Sequence, residues 1–150
     1  MNGNLSRKIL NMLEESEKIY TSLPKRAYKI SEEAYKLSVD NNMKSEGASS
    51  LVMMAKVCRI RTEVSQMYAL SYDAYELFNE LDDNLGMAKA LNLIGITYYY
   101  RSMYEQAADT LIKGLKLIEI KDDFKLYSAI LNNIGEVFKE TENYDLAIEY

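Results

Sequence analysis

The sequence predicts an all-α fold: a solenoid of antiparallel helix hairpins, about three and a half to four repeats long. Three observations carry that prediction. Residues recur forty positions apart: Leu91, Asn92, Ile94 and Gly95 return as Leu131, Asn132, Ile134 and Gly135, Tyr104 and Ala107 as Tyr144 and Ala147, and Asp82–Asp83 as Asp122–Asp123. A fixed period of this size marks an architecture whose units bury their apolar faces only against their neighbours. The apolar spacing is helical, with Leu91, Ile94 and Tyr98, and again Leu131, Ile134 and Phe138, on one face. Finally, one proline and six glycines leave the helical runs almost unbroken, and no stretch alternates as a strand does.

The elements follow in order. The first hairpin is read as helices 4–20 and 24–40, with Ser22 and Pro24 marking the second start. The polar break Asp40–Asn42 precedes helices 44–61 and 64–81. Leu81–Asn84 precedes helices 84–101 and 104–120, the latter expected to open on a Ser102–Met103–Tyr104–Glu105 capping box. Lys121–Asp123 precedes helix 124–141, and Glu142–Asn143 separates it from a helix running from 144 onward. Residues 1–150 read as a single array without linker or second domain. The last helix has run two turns at Tyr150 with no polar cap, so the chain is expected to be an N-terminal piece of a longer protein.

Composition narrows the function. A charged fraction of 27% with net charge −5 argues against general affinity for nucleic acid or anionic membrane, both of which need a basic face. The apolar run Ala90–Tyr100 is too short to span a bilayer, and Met1–Glu17 carries Arg7, Lys8, Glu14 and Glu15, unlike a signal peptide. The single cysteine, Cys58, excludes an internal disulfide and fits a reducing cytoplasm, the expected location. Catalysis has little to use. There is no histidine, the lone cysteine lacks a dyad partner, and no glycine-rich loop is present to cradle phosphate. No catalytic residue, cofactor or metal site is expected within these residues, although a catalytic domain beyond Tyr150 is compatible with them. Cys58 is expected in the core rather than reactive, and Met12 and Met54 likewise.

The repeated residues resemble the tetratricopeptide repeat, a helix–turn–helix unit with large, large, small and aromatic core positions on its first helix. Leu91, Ile94, Gly95 and Tyr98 fill those places in the third unit, followed by Tyr104, Ala107, Leu111 and Gly114. Leu131, Ile134, Gly135 and Phe138 fill them in the fourth, followed by Tyr144 and Ala147. The second unit matches through Leu51, Met54, Ala55, Cys58 and Ala74, but Met67 stands where the family prefers a small residue. The first keeps Ala27 and Ala34, and its first helix fits with a one-residue shift as Met12, Ser16 and Ile19. The small residues let helices approach closely while Tyr98 and Phe138 fill the space between units, so Gly135→Leu is expected to overpack. The forty-residue length resembles the long units of bacterial signalling proteins: peptide-sensing regulators, transcription activators, and sensory regions preceding diguanylate cyclase or kinase domains.

The resemblance implies a right-handed superhelix whose concave groove is lined by the first helix of each unit, where peptides or partner helices dock. On that register the groove carries Val52, Lys56, Arg59, Lys89, Asn92, Ile96, Tyr99, Asn132, Glu136 and Lys139. Asn92 and Asn132, at equivalent places, are expected to clamp a peptide backbone, the alternative being solvated inner-face polar residues. Lys56 and Arg59 are candidates to meet an acidic group, the alternative being ordinary surface charge. Of Tyr98–Tyr99–Tyr100, successive side chains point about 100° apart, so only Tyr99 is placed in the groove. The expected function is a protein- or peptide-binding module, the sensory or docking region of a larger bacterial signalling protein. The alternative is a self-assembling scaffold, a homo-oligomer formed through the last helix near Ile148.

Overall fold

The computed structural model describes residues 2–142. Within them lie seven helices and no strand: α1 (Asn2–Ile19), α2 (Pro24–Asp40), α3 (Lys44–Ile60), α4 (Val64–Glu80), α5 (Asn84–Tyr100), α6 (Tyr104–Lys116) and α7 (Phe124–Glu140). The helix expected from 144, with Tyr144, Ala147 and Ile148, lies outside the described residues. Five of the seven helices have 17 residues, and from α2 onward each begins twenty positions after the last. From α2 to α5 the forty-residue repeat is therefore two helices of one length joined by three-residue turns, whereas α6 is shorter and its connection to α7 longer.

Those turns share one hydrogen-bond pattern. After α2, Met43 N–H donates to Ser38 O at 2.8 Å and Asn42 N–H to Val39 O at 3.2 Å. Glu63 and Thr62 repeat the pattern on Cys58 and Arg59, Asp83 and Asp82 on Phe78 and Asn79, Met103 and Ser102 on Tyr98 and Tyr99. The crossed pair closes a helix C-terminus around a residue in left-handed conformation. That residue is Asn42, Thr62, Asp82 or Ser102, with φ between 51° and 58°, and Glu142 continues the series at 61°. The next residue at once becomes the N-cap of the following helix. Three residues therefore end one helix and begin the next.

Two expected caps are corrected. Ser102 is the left-handed turn residue, and Met103 is the N-cap of α6 without any side-chain cap bond. Leu23 likewise precedes Pro24 at the start of α2, while the Ser22 hydroxyl donates back to Ile19 O at 3.3 Å. Carboxylates do cap α5 and α7: Asp83 accepts from Gly86 N–H at 2.9 Å and Asp123 from Leu126 N–H at 3.0 Å. Helix α6 ends at Lys116 rather than 120. Leu117 and Ile118 tighten to bonds on Gly114 and Leu115, and the Asp122 carboxylate captures Glu119 N–H at 2.8 Å. A side chain thus takes the donor that a further helical turn would need.

Each even helix packs between its two sequence neighbours, and the odd helices α1, α3, α5 and α7 also touch in succession. Helices α3 and α5 are buried on several sides, whereas α1 and α7 bury one stripe each. The units fill equivalent space with different residues. Cys58 and Met67 are both fully buried where the next unit has half-buried Tyr98 and buried Ala107, so a long thioether stands in for an aromatic ring. Met67 is accommodated because its neighbours Ala55 and Cys58 are small. Gly95 faces Leu111, whose Cγ and Cδ2 would lie 2.6 Å from an added Cβ, whereas the preceding unit pairs Ala55 with Ser71 at these positions. At Gly86 an added Cβ would lie 2.2–2.5 Å from three atoms of the Phe78 ring. Such reciprocal size changes keep density constant along the stack.

In the first unit the buried residues of α1 are Ile9 and Ser16, one place beyond the forty-residue equivalents of Ala48 and Ala55, with Met12 and Ile19 half-buried. Ser16 and Ser31 hydrogen-bond at 2.7 Å, and each hydroxyl lies 2.8 Å from Ala27 O. The two fully buried serines are thereby satisfied, and among the described residues no buried side-chain polar atom lacks a partner. On the even-helix side, Arg61 lies over Tyr28 and Arg101 over Tyr68, at 5.9 and 5.2 Å from the ring centres. The same cation–ring staple recurs one repeat on.

Three outcomes are expected. Thr62→Gly should raise stability by about 1 kcal/mol, because a β-branched residue is strained at φ 57°; an unchanged urea midpoint would contradict that account of the turn. Gly95→Leu should cost about 1–3 kcal/mol by overpacking against Leu111, read from the same unfolding curves. Burial first, and Glu63 second, push the Cys58 thiol up to about 12. In the folded chain it stays protonated, so a thiol reagent should modify it only after denaturation. Because this value lies above that of an unfolded thiol, the contribution to stability is complete below about pH 8.5 and is lost as pH rises toward 12. A stability that rises over that interval in the wild type relative to Cys58→Ala would refute the assignment.

Candidate binding groove

Two cavities are shared between successive odd helices. The larger encloses 530 Å³ and takes walls from all four: Leu10, Leu13 and Glu17 of α1, Val52, Lys56 and Arg59 of α3, Lys89, Asn92 and Leu93 of α5, and Lys125, Leu126 and Ala129 of α7. The smaller, of 190 Å³, lies between Arg59, Ile96, Tyr99, Tyr100, Asn132, Asn133 and Glu136. Arg59 lines both. Spacings of three and four, as in 52, 56, 59 and 89, 92, 96, 99, bring these residues to one helix face. Of the ten residues placed in the groove from sequence, nine line these two cavities, Val52 among them on the first. Lys56, Arg59, Lys89 and Asn92 stand on the first cavity, and Arg59, Ile96, Tyr99, Asn132 and Glu136 on the second. Lys139 lines neither.

Their side chains are not equally available. Lys56 Nζ sits 2.6 Å from both carboxylate oxygens of Glu17 and 5.0 Å above the Tyr20 ring. Its charge is already matched, so the expected joint role with Arg59 toward an acidic group is corrected for Lys56. Arg59 is exposed and donates from Nε to the Tyr100 hydroxyl at 3.5 Å. Among the described residues it has no carboxylate in ion-pair range, and neither do the exposed Lys89 and Lys125. Four basic and two acidic residues line the larger cavity, and both acids are engaged, Glu17 on Lys56 and Asp123 as the cap of α7. The charge left over is positive.

The amides have a further contact of their own. Asn92 Oδ1 accepts from Asn133 Nδ2 at 2.8 Å, a bond that joins α5 to α7, while Asn132 is exposed on the wall of the smaller cavity. The bond occupies the Asn92 carbonyl and leaves its amino group to donate. Ile96 is only 4% exposed and packs with Cys58, Met67 and Leu93, so it forms the floor rather than a protruding contact. Tyr99 is half-buried, with its ring edge-on to Tyr104 at 5.8 Å and its hydroxyl donating to Glu140 at 3.5 Å. Burial first, then the Glu140 and Glu136 carboxylates, raises its phenol above the usual value. Glu136 is exposed and pairs with Lys139 at 3.8 Å, a surface pair of little energy.

Sequence inspection missed Leu10, Leu13, Glu17, Tyr100, Lys125, Leu126 and Asn133. A signal for some of them was present. Arg59–Tyr100, Asn92–Asn133 and Tyr99–Glu140 are each 41 residues apart. One repeat plus one residue is therefore the spacing of facing side chains on successive odd helices. Between α1 and α3, where α1 is displaced by one residue, the spacing falls to 40 for Ser6–Glu46, and the long Glu17 and Lys56 side chains meet at 39. Among the described residues no group of three or more histidines, cysteines or carboxylates is placed to hold a metal ion, and no helix is long and apolar enough to cross a membrane.

No protein-family model and no curated protein matches this sequence. Among solved structures it is similar to BtubC (BKLC) from P. vanneervenii, with a TM-score of 0.68 and 20% sequence identity over 83% of this chain and 52% of that one. The chain spans about half the length of that neighbour. At this identity the likeness is one of fold, an all-helical arrangement of repeat-like units.

Proposed function

We propose that this chain is a peptide- or protein-binding module of tetratricopeptide-like repeats, coiled as a right-handed superhelix with the odd helices on its concave side. The observation that carries this reading is the 530 Å³ cavity to which α1, α3, α5 and α7 all contribute, since a surface lined from both ends of the stack is one a ligand can lie along. Its volume falls in the range of ligand sites, about 300–1,000 Å³. The walls combine apolar Leu13, Val52, Leu93 and Leu126 with polar groups able to orient a backbone, among them the Asn92 amino group. Binding, and not catalysis, is the activity we assign to these residues, with no cofactor. The forty-residue units support a docking or sensory role within a bacterial signalling protein located in the cytoplasm.

Selection from a random peptide display library tests the proposal. Recovered peptides, added to isotopically labelled protein, should shift the resonances of Val52, Asn92 and Tyr99, and Tyr99→Ala should weaken binding by about 1–2 kcal/mol. Shifts confined to the even helices, at Tyr35, Tyr72 or Tyr75, would place the binding surface on the opposite side and defeat the proposal.

A further inference from the structure

We infer that the groove takes an extended peptide segment carrying an internal acidic side chain, whose carboxylate is held by Arg59 with Lys89 and Lys125 beside it. The inference rests on the docking role proposed above and adds the chemistry of the ligand. The protein as a whole has net charge −5, yet the larger cavity presents three cations without carboxylate partners among the described residues, while both of its acids are already engaged. A local positive field in an acidic protein selects anionic ligands and disfavours a second copy of the same chain. Arg59 is the best placed of the three, since a planar guanidinium grips a carboxylate with two parallel bonds. Its position on both cavities decides the kind of carboxylate. A chain crossing from the larger space to the smaller passes Arg59 with backbone on either side, which suits an acidic side chain within the segment rather than a terminal carboxyl group. Lys56 takes no part in this recognition, because Glu17 already fills the anion's place at 2.6 Å.

The probes are short fluorescent peptides of leucine, serine and aspartate with amidated C-termini, a counterpart with lysine in place of aspartate, and a leucine–serine peptide with a free C-terminal carboxylate. Anisotropy at low salt should show the aspartate peptide binding at least about tenfold tighter than the lysine peptide, with the difference shrinking at high salt. Arg59→Ala should weaken the aspartate peptide about tenfold, and Arg59→Glu combined with Lys89→Glu should reverse the preference. Lys36→Ala, on an exposed position of α2, should leave affinity unchanged, and melting curves confirm that each variant is folded. Equal affinity for the aspartate and lysine peptides, or binding only of the free terminal carboxylate, overturns the inference. If the lysine peptide binds as tightly as the aspartate peptide and shifts Val52 and Asn92, the docking role survives and the acidic specificity falls; if no peptide moves those resonances, both fall.

Discussion

The structure depends on a three-residue turn whose middle residue lies in the left-handed region. The turns after α2, α3, α4 and α5 each close one helix with the crossed bonds seen at Ser38 and Val39, then hand the next residue over as the following N-cap. Repeating it after helices of 17 residues fixes two things together. The chain reverses at every turn, and each helix presents the same face as the helix two before it. The left-handed positions are filled by Asn42, Thr62, Asp82, Ser102 and Glu142, none of them glycine. Each non-glycine residue there costs about 1 kcal/mol, least for Asn and Asp, whose short polar side chains suit the conformation. That cost persists because the packing on both sides of the turn admits no other path.

Given the metre, side-chain volume does the rest. The core positions recur, but the size of the residue at each does not. Large residues move from one helix of a pair to the other: Met67 against Cys58 in one unit, Tyr98 above Ala107 in the next, Phe78 over Gly86, Leu111 over Gly95. These exchanges keep the odd helices close enough to form a continuous wall, and the groove is a consequence of that wall. Its electrostatics follow from register in turn. From α1, Glu17 reaches Lys56 and matches that cation's charge. Among the described residues Arg59, Lys89 and Lys125 meet no such carboxylate, which gives a positive groove on an acidic chain.

Most of the fold was legible because the same two signals, helical spacing and polar breaks, recur at constant intervals. Helices α2 to α5 and α7 begin where the sequence places them and end within a residue of the expected position. The failures are local. Ser102 looks like a cap but takes the left-handed conformation, since the turn needs a C-terminal closure more than a side-chain acceptor. Helix α6 stops early because Asp122, three residues away, competes for Glu119 N–H. The candidate groove was legible as a face, because faces follow from periodicity. Pairings across it were not, since identical positions forty apart are natural to compare while touching positions lie 41 apart. The Asn92–Asn133 bond was therefore not anticipated. The α1 and α7 walls, Leu10, Leu13 and Lys125 among them, carry no repeat signature and became visible only in three dimensions.

The central claim is that the folding unit is a pair of helices, so that odd and even positions are not interchangeable. The most direct test compares two internal deletions by cooperative urea unfolding monitored through far-ultraviolet circular dichroism. Removing 64–103 joins Glu63 to Tyr104, keeps one intact turn and preserves the alternation of odd and even helices. Removing 64–83 joins Glu63 to Asn84, also keeps an intact turn, but sets α5 directly after α3 in an even position. The account predicts a helical, cooperatively unfolding protein from the first deletion and loss of cooperativity from the second. Equal cooperativity from both, or a folded product only from the shorter deletion, would contradict it.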